Sequence, residues 1–269
     1  HRIDRQISFV LKNMQELEIL DGHKLSDDIN HKLRQIIVEQ ELKPTLAVVL
    51  VGDNPASHLY VKLKTKACEK IGIEVSTYFL DKNCSQDELE KTIQWLNQDE
   101  TVDAILVQLP LPDNINADEM IDLINPEKDA DGFHPKNLEK MYQNEAIVFP
   151  APANAVVRLI KSSRNLTSNM KAVVVSNNDI FFQPIQHLLN EYNITTTYYS
   201  PENIELIDHE VRLADIVVVA VGQPNFIDQK NIKDGAIIID VGTNRVNNKT
   251  VGDVDFESVQ NIAGAITPV

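Results

Sequence analysis

The chain runs to 269 residues, 43% of them hydrophobic, with 40 acidic against 25 basic side chains and a formal charge of -15. That length suits one large domain or two ordinary ones with real apolar cores. No apolar run approaches a membrane span, and an acidic field without a basic cluster argues against membrane insertion and against nucleic acid as a partner.

The chain begins at His1, and residues 1–15 carry three basic side chains and one acid. They read either as the tail of an organellar presequence or as an appended remnant, so the expected location is the mitochondrial matrix or the cytoplasm. Beyond them, strand-like runs occur at 46–51, 75–80, 104–109, 172–176, 195–199, 215–222 and 236–242. Continuous Val/Ile/Leu runs, rather than alternating ones, suit parallel strands covered on both faces. Helical stretches separate them; in 85–98, Ser85 reads as an N-cap and Glu88 as its capping-box partner. Alternating strand and helix predicts an α/β architecture with parallel sheets. Pro150 and Pro152 interrupt the pattern in FPAPANA (149–155), so the expected domains are 16–149 and 150–269, with a ligand cleft between them.

Tyr60 and Lys64 lie one helical turn apart, just after LAVVLVG (46–52). A lysine past the carboxyl end of a sheet strand can reach the crevice where ligands bind, and its pKa shifts readily when partly buried. The competing reading is a solvated surface lysine. Cys68 follows Lys64 on the same helix and reads as a packing residue; it and Cys84 are not at metal-ligand spacing, and no metal site is expected. Gln108 closes AILVQL (104–109) before a Pro-Leu-Pro turn, placed to orient a lysine or a ligand amide, or simply to end a strand. In NPEKDADGFHPKN (125–137), Asp131 could accept two N–H donors from a flat heterocycle. Asp129 and Asp131 equally suit a turn whose aspartates bond their own backbone. In the second half, strands ending at Gly222 and Gly242 would let backbone amides approach a ligand. KAVVV (171–175) leads into SNNDIFFQP (176–184), where a dinucleotide fold carries its glycine-rich phosphate turn; this segment holds no glycine.

The runs LVGDNPASHLYVKLKTKACEKIGI, DAILVQLPLPDN, INPEKDADGFHPKN, ADIVVVAVGQP, AIIIDVGTNRV and VGDVDFESVQNIAGAITPV resemble the bifunctional methylenetetrahydrofolate dehydrogenase/methenyltetrahydrofolate cyclohydrolase family over about residues 18–269. The resemblance implies a second domain that is Rossmann-like, a tetrahydrofolate derivative as substrate, and NADP or NAD as the oxidant. It makes Lys64 the catalytic lysine, sets Tyr60 beside the folate's aromatic ring, has Gln108 hydrogen-bond and tune the lysine, and has Asp131 hold the pterin. The cofactor positions fall on Ser176, Asn177, Asn178, Ser200, Gly222 and Gly242. A homodimer through the second domain is also implied.

Three departures from the family pattern stand out. The phosphate turn, Gly-Arg-Ser followed by Val-Gly and a proline, reads Ser176, Asn177, Asn178, Phe181, Phe182 and Pro184 here. Phe182 replaces a glycine and is expected to block the pyrophosphate site, while Glu202 would repel a cofactor 2′-phosphate. FPAPANAVV (149–157) lacks the family's threonine and glycine, and the sequence ends at Val269 where the family continues. The expectation is weak or absent dinucleotide binding, with cyclohydrolase activity the firmer half and dehydrogenase activity doubtful. The alternative is a catalytically silent member serving as a structural subunit of a larger, mitochondrial assembly.

Overall fold

The structure, a computed structural model, describes residues 17–247 and 249–268, so the basic segment 1–15 lies outside it. In chain order, strand β1 (Glu18–Ile19) and helix α1 (Gly22–Glu39) lead to β2 (Thr45–Val51), α2 (Pro55–Ile71), β3 (Glu74–Leu80), α3 (Gln86–Gln98), β4 (Ala104–Val107), α4 (Ala117–Asp122) and α5 (Pro135–Tyr142). Then follow α6 (Ala151–Ser162), β5 (Lys171–Ser176), α7 (Asp179–Asn190), β6 (Thr195–Tyr199), α8 (Ile204–Val211), β7 (Ile216–Ala220), β8 (Ile237–Asp240), β9 (Asn244–Val246), β10 (Lys249–Val251), α9 (Phe256–Val259) and β11 (Ala265–Ile266). The chain divides into two compact units, Ser26–Ala151 and Pro152–Val269, the latter joined by the segment ending at Leu25.

The first unit is built on a parallel sheet of order β3-β2-β4. Its central strand is apolar on both faces because both are covered. Ala47, Val49 and Val51 pack with Leu89, Ile93 and Leu96 of α3, while Val48 and Leu50 pack with Val61 of α2 and Leu106 of β4. Burial of each such Leu or Ile contributes about 1.5–3 kcal/mol. Helix α2 starts where the Asn54 side chain accepts the Ala56 and Ser57 N–H groups with Pro55 in the first turn, and it stops at Gly72 with φ 97°. Helix α3 starts at Ser85, whose hydroxyl accepts the Glu88 N–H.

The second unit carries a six-stranded parallel sheet of order β1-β11-β8-β7-β5-β6 and an antiparallel β9–β10 hairpin. From β5 onward the strands run 2-1-3-4-5, a doubly wound order. Its core joins Val173 and Val175 of β5 to Val217, Val219 and Ile238 of the neighbouring strands. At the N-terminus the structure departs from the expected limit at 16: Glu18 pairs with Ala265, so β1 is an edge strand of the second unit's sheet. Two-residue strands carry too little periodicity to be read from sequence. Three expected strands are shorter than their apolar runs, because pairing stops at Val107, Ala220 and Asp240. No described helix is long and apolar enough to cross a membrane.

Candidate active site

The sheet order sets where ligands can lie. In each unit two neighbouring strands diverge into connections on opposite sides, and the crevice outside their carboxyl ends is the place for a ligand. In the first unit these are β2 and β4. Lys64 projects from the helix that follows β2, and Gln108 immediately follows β4, its backbone N–H still bonded to the Val49 carbonyl at 2.9 Å. The Lys64 Nζ donates to Gln108 Oε1 at 3.3 Å, and the Gln108 Nε2 donates to the Leu109 carbonyl at 2.7 Å. The second bond fixes which way the amide faces, so its oxygen is the atom offered to the ammonium. Lys64 is therefore a partnered, partly buried group rather than a solvated one.

The turn reading of the 125–137 loop is realised on Asp129 alone. Asp129 is 5% exposed and accepts the Gly132 N–H at 3.0 Å, the His134 N–H at 2.9 Å and the Asn137 Nδ2 at 3.0 Å. It ties the turn to itself. Asp131 takes no part in that knot, and among the described residues no donor reaches its carboxylate. Burial pushes its pKa up, the Lys64 charge opposes this in part, and the Asp129 charge adds to it. Gly132 holds φ +78°, and a Cβ there would lie 2.6 Å from the Phe149 carbonyl carbon and oxygen. Backbone against backbone cannot give way, so this glycine lets the turn close on the chain entering α6. Gln108 and Asp131 also line a cavity of about 80 Å³ with Leu109 and Phe133.

Tyr60 sits one turn before Lys64 and is 51% exposed, with Leu59 and Leu63 also exposed on that flank of α2. Sequence reading missed Ser57, which precedes Tyr60 by one turn. It is buried, and its Oγ is a buried oxygen without a hydrogen-bond partner among the described residues. Leaving such a group unpaired costs about 1–3 kcal/mol, so Ser57 joins the site as a candidate ligand contact. A serine in the first turn of a helix looks like capping chemistry, which hid it.

In the second unit the strands that diverge are β5 and β7. The turn after β5 satisfies itself: Ser176 Oγ donates to the Asn178 carbonyl at 2.7 Å, the Asn178 side chain accepts the Phe181 N–H at 3.3 Å, and Asn177 Nδ2 donates to the Val221 carbonyl at 3.0 Å. The expectation that Phe182 blocks this turn is corrected. Phe182 lies inside α7, is only 9% exposed, and tilts against Tyr198 of β6 with ring centroids 5.4 Å apart. It fills the helix–strand interface, where a glycine would draw the helix closer. Asn177, Asn178 and Asp179 remain exposed. Gly222 holds φ +68°, and a Cβ added there would meet nothing within 4 Å. Exposed asparagines and an open glycine leave room along this edge, with no basic side chain in the turn. Gly242 is packed instead, since a Cβ there would lie 2.1 Å from the Asp253 Cγ. Ser200 lies past β6, where its carbonyl accepts the Asn203 N–H at 3.2 Å, outside this network.

A lysine–glutamine–aspartate centre on one α/β unit, with a doubly wound dinucleotide topology on the other, defines a two-unit α/β enzyme class. The comparisons with known proteins make it specific. Residues 20–131 match the tetrahydrofolate dehydrogenase/cyclohydrolase catalytic domain, and residues 150–269 match the NAD(P)-binding domain of the same family. The bifunctional protein FolD of Nitratiruptor is 41% identical over 257 residues, covering 94% of this chain and 91% of that protein. Among solved structures, the bifunctional FolD methylenetetrahydrofolate dehydrogenase/cyclohydrolase of Campylobacter jejuni is 38% identical with a TM-score of 0.88, covering 94% of this chain and 91% of that one. The Trypanosoma brucei methylenetetrahydrofolate dehydrogenase-cyclohydrolase, complexed with NADP and an inhibitor, is 34% identical with a TM-score of 0.89, covering 95% and 91%. The chain belongs to the tetrahydrofolate dehydrogenase/cyclohydrolase family. None of these comparisons favours the structural-subunit reading.

Proposed function

We propose that this chain acts in tetrahydrofolate one-carbon metabolism, hydrolysing methenyl-tetrahydrofolate at the Lys64 centre and oxidising methylene-tetrahydrofolate with NAD or NADP. The observation that carries this reading is the 3.3 Å bond from Lys64 Nζ to Gln108 Oε1, with the partly buried Asp131 carboxyl under the influence of the same ammonium. A pterin offers adjacent N–H donors in a plane, and these suit a carboxylate that has no donor of its own. The exposed phenol of Tyr60 suits the flat ring next along the substrate.

In the hydrolysis, water adds to the bridging carbon of the methenyl cation. One carbon–nitrogen bond of the five-membered ring breaks, that nitrogen takes up a proton, and one proton is released overall. Lys64, held beside the bridging carbon, is the side chain placed to exchange a proton with the attacking water. Gln108 holds the Nζ in place for this exchange and supplies no charge that would fix the lysine as an ammonium. NAD or NADP, when bound, supplies a hydride acceptor for the oxidation. The chain's own contribution there is the exposed edge at Asn177 and Gly222, where an open glycine leaves room for the dinucleotide.

Replacing Lys64 by Met tests the centre. Hydrolysis of methenyl-tetrahydrofolate, followed by loss of its absorbance, should fall by about 10²–10⁴-fold, while NAD(P) binding by calorimetry stays as in the parent. An intact chain no faster than the uncatalysed reaction would refute the reading.

A further inference from the structure

Asp253 is buried outright, at 0% exposure, in the segment after the β9–β10 hairpin. Its Oδ2 accepts the Val221 N–H at 2.6 Å and the Gly222 N–H at 2.9 Å, and its Oδ1 accepts the Asn244 Nδ2 at 2.8 Å. Its own N–H donates to Asp240 Oδ1 at 3.0 Å, and that carboxylate also accepts the Gly242 N–H at 2.9 Å and the Val254 N–H at 3.0 Å. The Val221 carbonyl meanwhile holds Asn177 of the turn after β5.

One side chain therefore ties the end of β7 to the start of β9, with the end of β8 attached through Asp240. Of these, the end of β7 belongs to the pair of strands, β5 and β7, whose carboxyl ends form the dinucleotide edge. A buried carboxylate is tolerated only when donors saturate it, and three donors converge on this one. An apolar residue here would strand those three donors without an acceptor. The charge has a further effect: it pins Gly222, the glycine with open space around it, in its left-handed conformation and consumes its N–H inward. The exposed side of that glycine and of Asn177 is thereby held at a fixed height along the edge.

We propose that Asp253 is the positioning residue for the dinucleotide side of the reaction, setting the Gly222 and Asn177 edge against which NAD or NADP lies. This rests on the dinucleotide-dependent half of the proposed function. The test is Asp253→Asn, the same shape without the charge. An amide offers one acceptor oxygen where the carboxylate offers two, so the Val221 and Gly222 N–H groups lose the carboxylate's charge and the Asn244 contact is kept only if that amide turns over.

Calorimetry with NAD and with NADP on the intact chain should show affinity falling about tenfold or more in the variant (about 1.4 kcal/mol per decade). In the same preparation, methenyl-tetrahydrofolate hydrolysis should keep its kcat within about twofold. Asn177→Ala, an exposed change that leaves Asp253 in place, should weaken dinucleotide binding in the same direction. Unchanged affinity in folded Asp253→Asn, or hydrolysis and affinity falling together with the melting temperature, would overturn the assignment. If Asp253→Asn does not fold, unchanged affinity in Asn177→Ala overturns it instead. Absence of NAD and NADP binding by the parent chain would overturn both this and the dehydrogenase half, leaving the hydrolysis reading standing.

Discussion

Two aspartates two positions apart show how environment, not residue type, assigns work. Asp129 is saturated by three donors and holds the turn; Asp131 is set apart from them, and burial raises its pKa. The folded chain therefore binds a proton at Asp131 more tightly than the unfolded chain does. Its ionised form lowers stability at neutral pH, and that penalty fades as pH falls through the raised folded pKa toward the ordinary carboxylate range. Asp131→Asn should melt a few degrees above the parent near neutrality, and the two curves should converge in acid. The same variant should lose affinity for a folate analogue, because an amide presents only one acceptor where the pterin needs two. Thermal melts across pH, with calorimetry at neutral pH, check both arms. A variant that melts below the parent at neutral pH would show that the Lys64 attraction outweighs desolvation.

At the scale of elements, α7 carries the main lesson about Phe182. By position the residue falls where the family has a glycine, and sequence alone sets it against the cofactor. In the structure its ring is part of the α7–β6 contact, with the Tyr198 hydroxyl reaching the Ser176 carbonyl at 3.1 Å. Phe182→Ala should cost about 3 kcal/mol by chemical denaturation, at the lower end for a buried Phe, and should not improve NAD(P) affinity. A tenfold gain in affinity would restore Phe182 as an obstruction. The long apolar runs made β2, β5 and β7 legible in the sequence, because strands covered on both faces need no alternation. Lys64 and Gln108 were legible through their motifs, and the topology brings them together across 44 positions. β1 and the Asp253 network were not legible. The former is two residues long, and the latter is a carboxylate whose donors come from two other segments, 221–222 and Asn244. Pattern reading follows local periodicity, and neither feature has any.

For the molecule as a whole, the charge of -15 is the dominant long-range quantity. Both reactants are anions at their periphery: the folate through its glutamate tail, the dinucleotide through its phosphates. No basic side chain lies in the turn after β5 to reverse the field locally, and Glu202, exposed just past β6, adds to it. The Debye length shrinks from about 30 Å at 0.01 M salt to about 8 Å at 0.15 M. Encounter with the dinucleotide should therefore speed up with added salt, the reverse of a basic site that steers anions inward. The effect should be larger for NADP than for NAD, because the extra 2′-phosphate meets the acidic end of β6. Measuring kcat/KM for each dinucleotide between 0.01 and 0.15 M salt (about the range over which the screening length changes most) separates the terms. A fall with salt for both would mean that a local cluster of cations overrides the net charge. A rise of equal size for both would mean that the end of β6 does not face the 2′ position, which would move the specificity determinant away from Glu202.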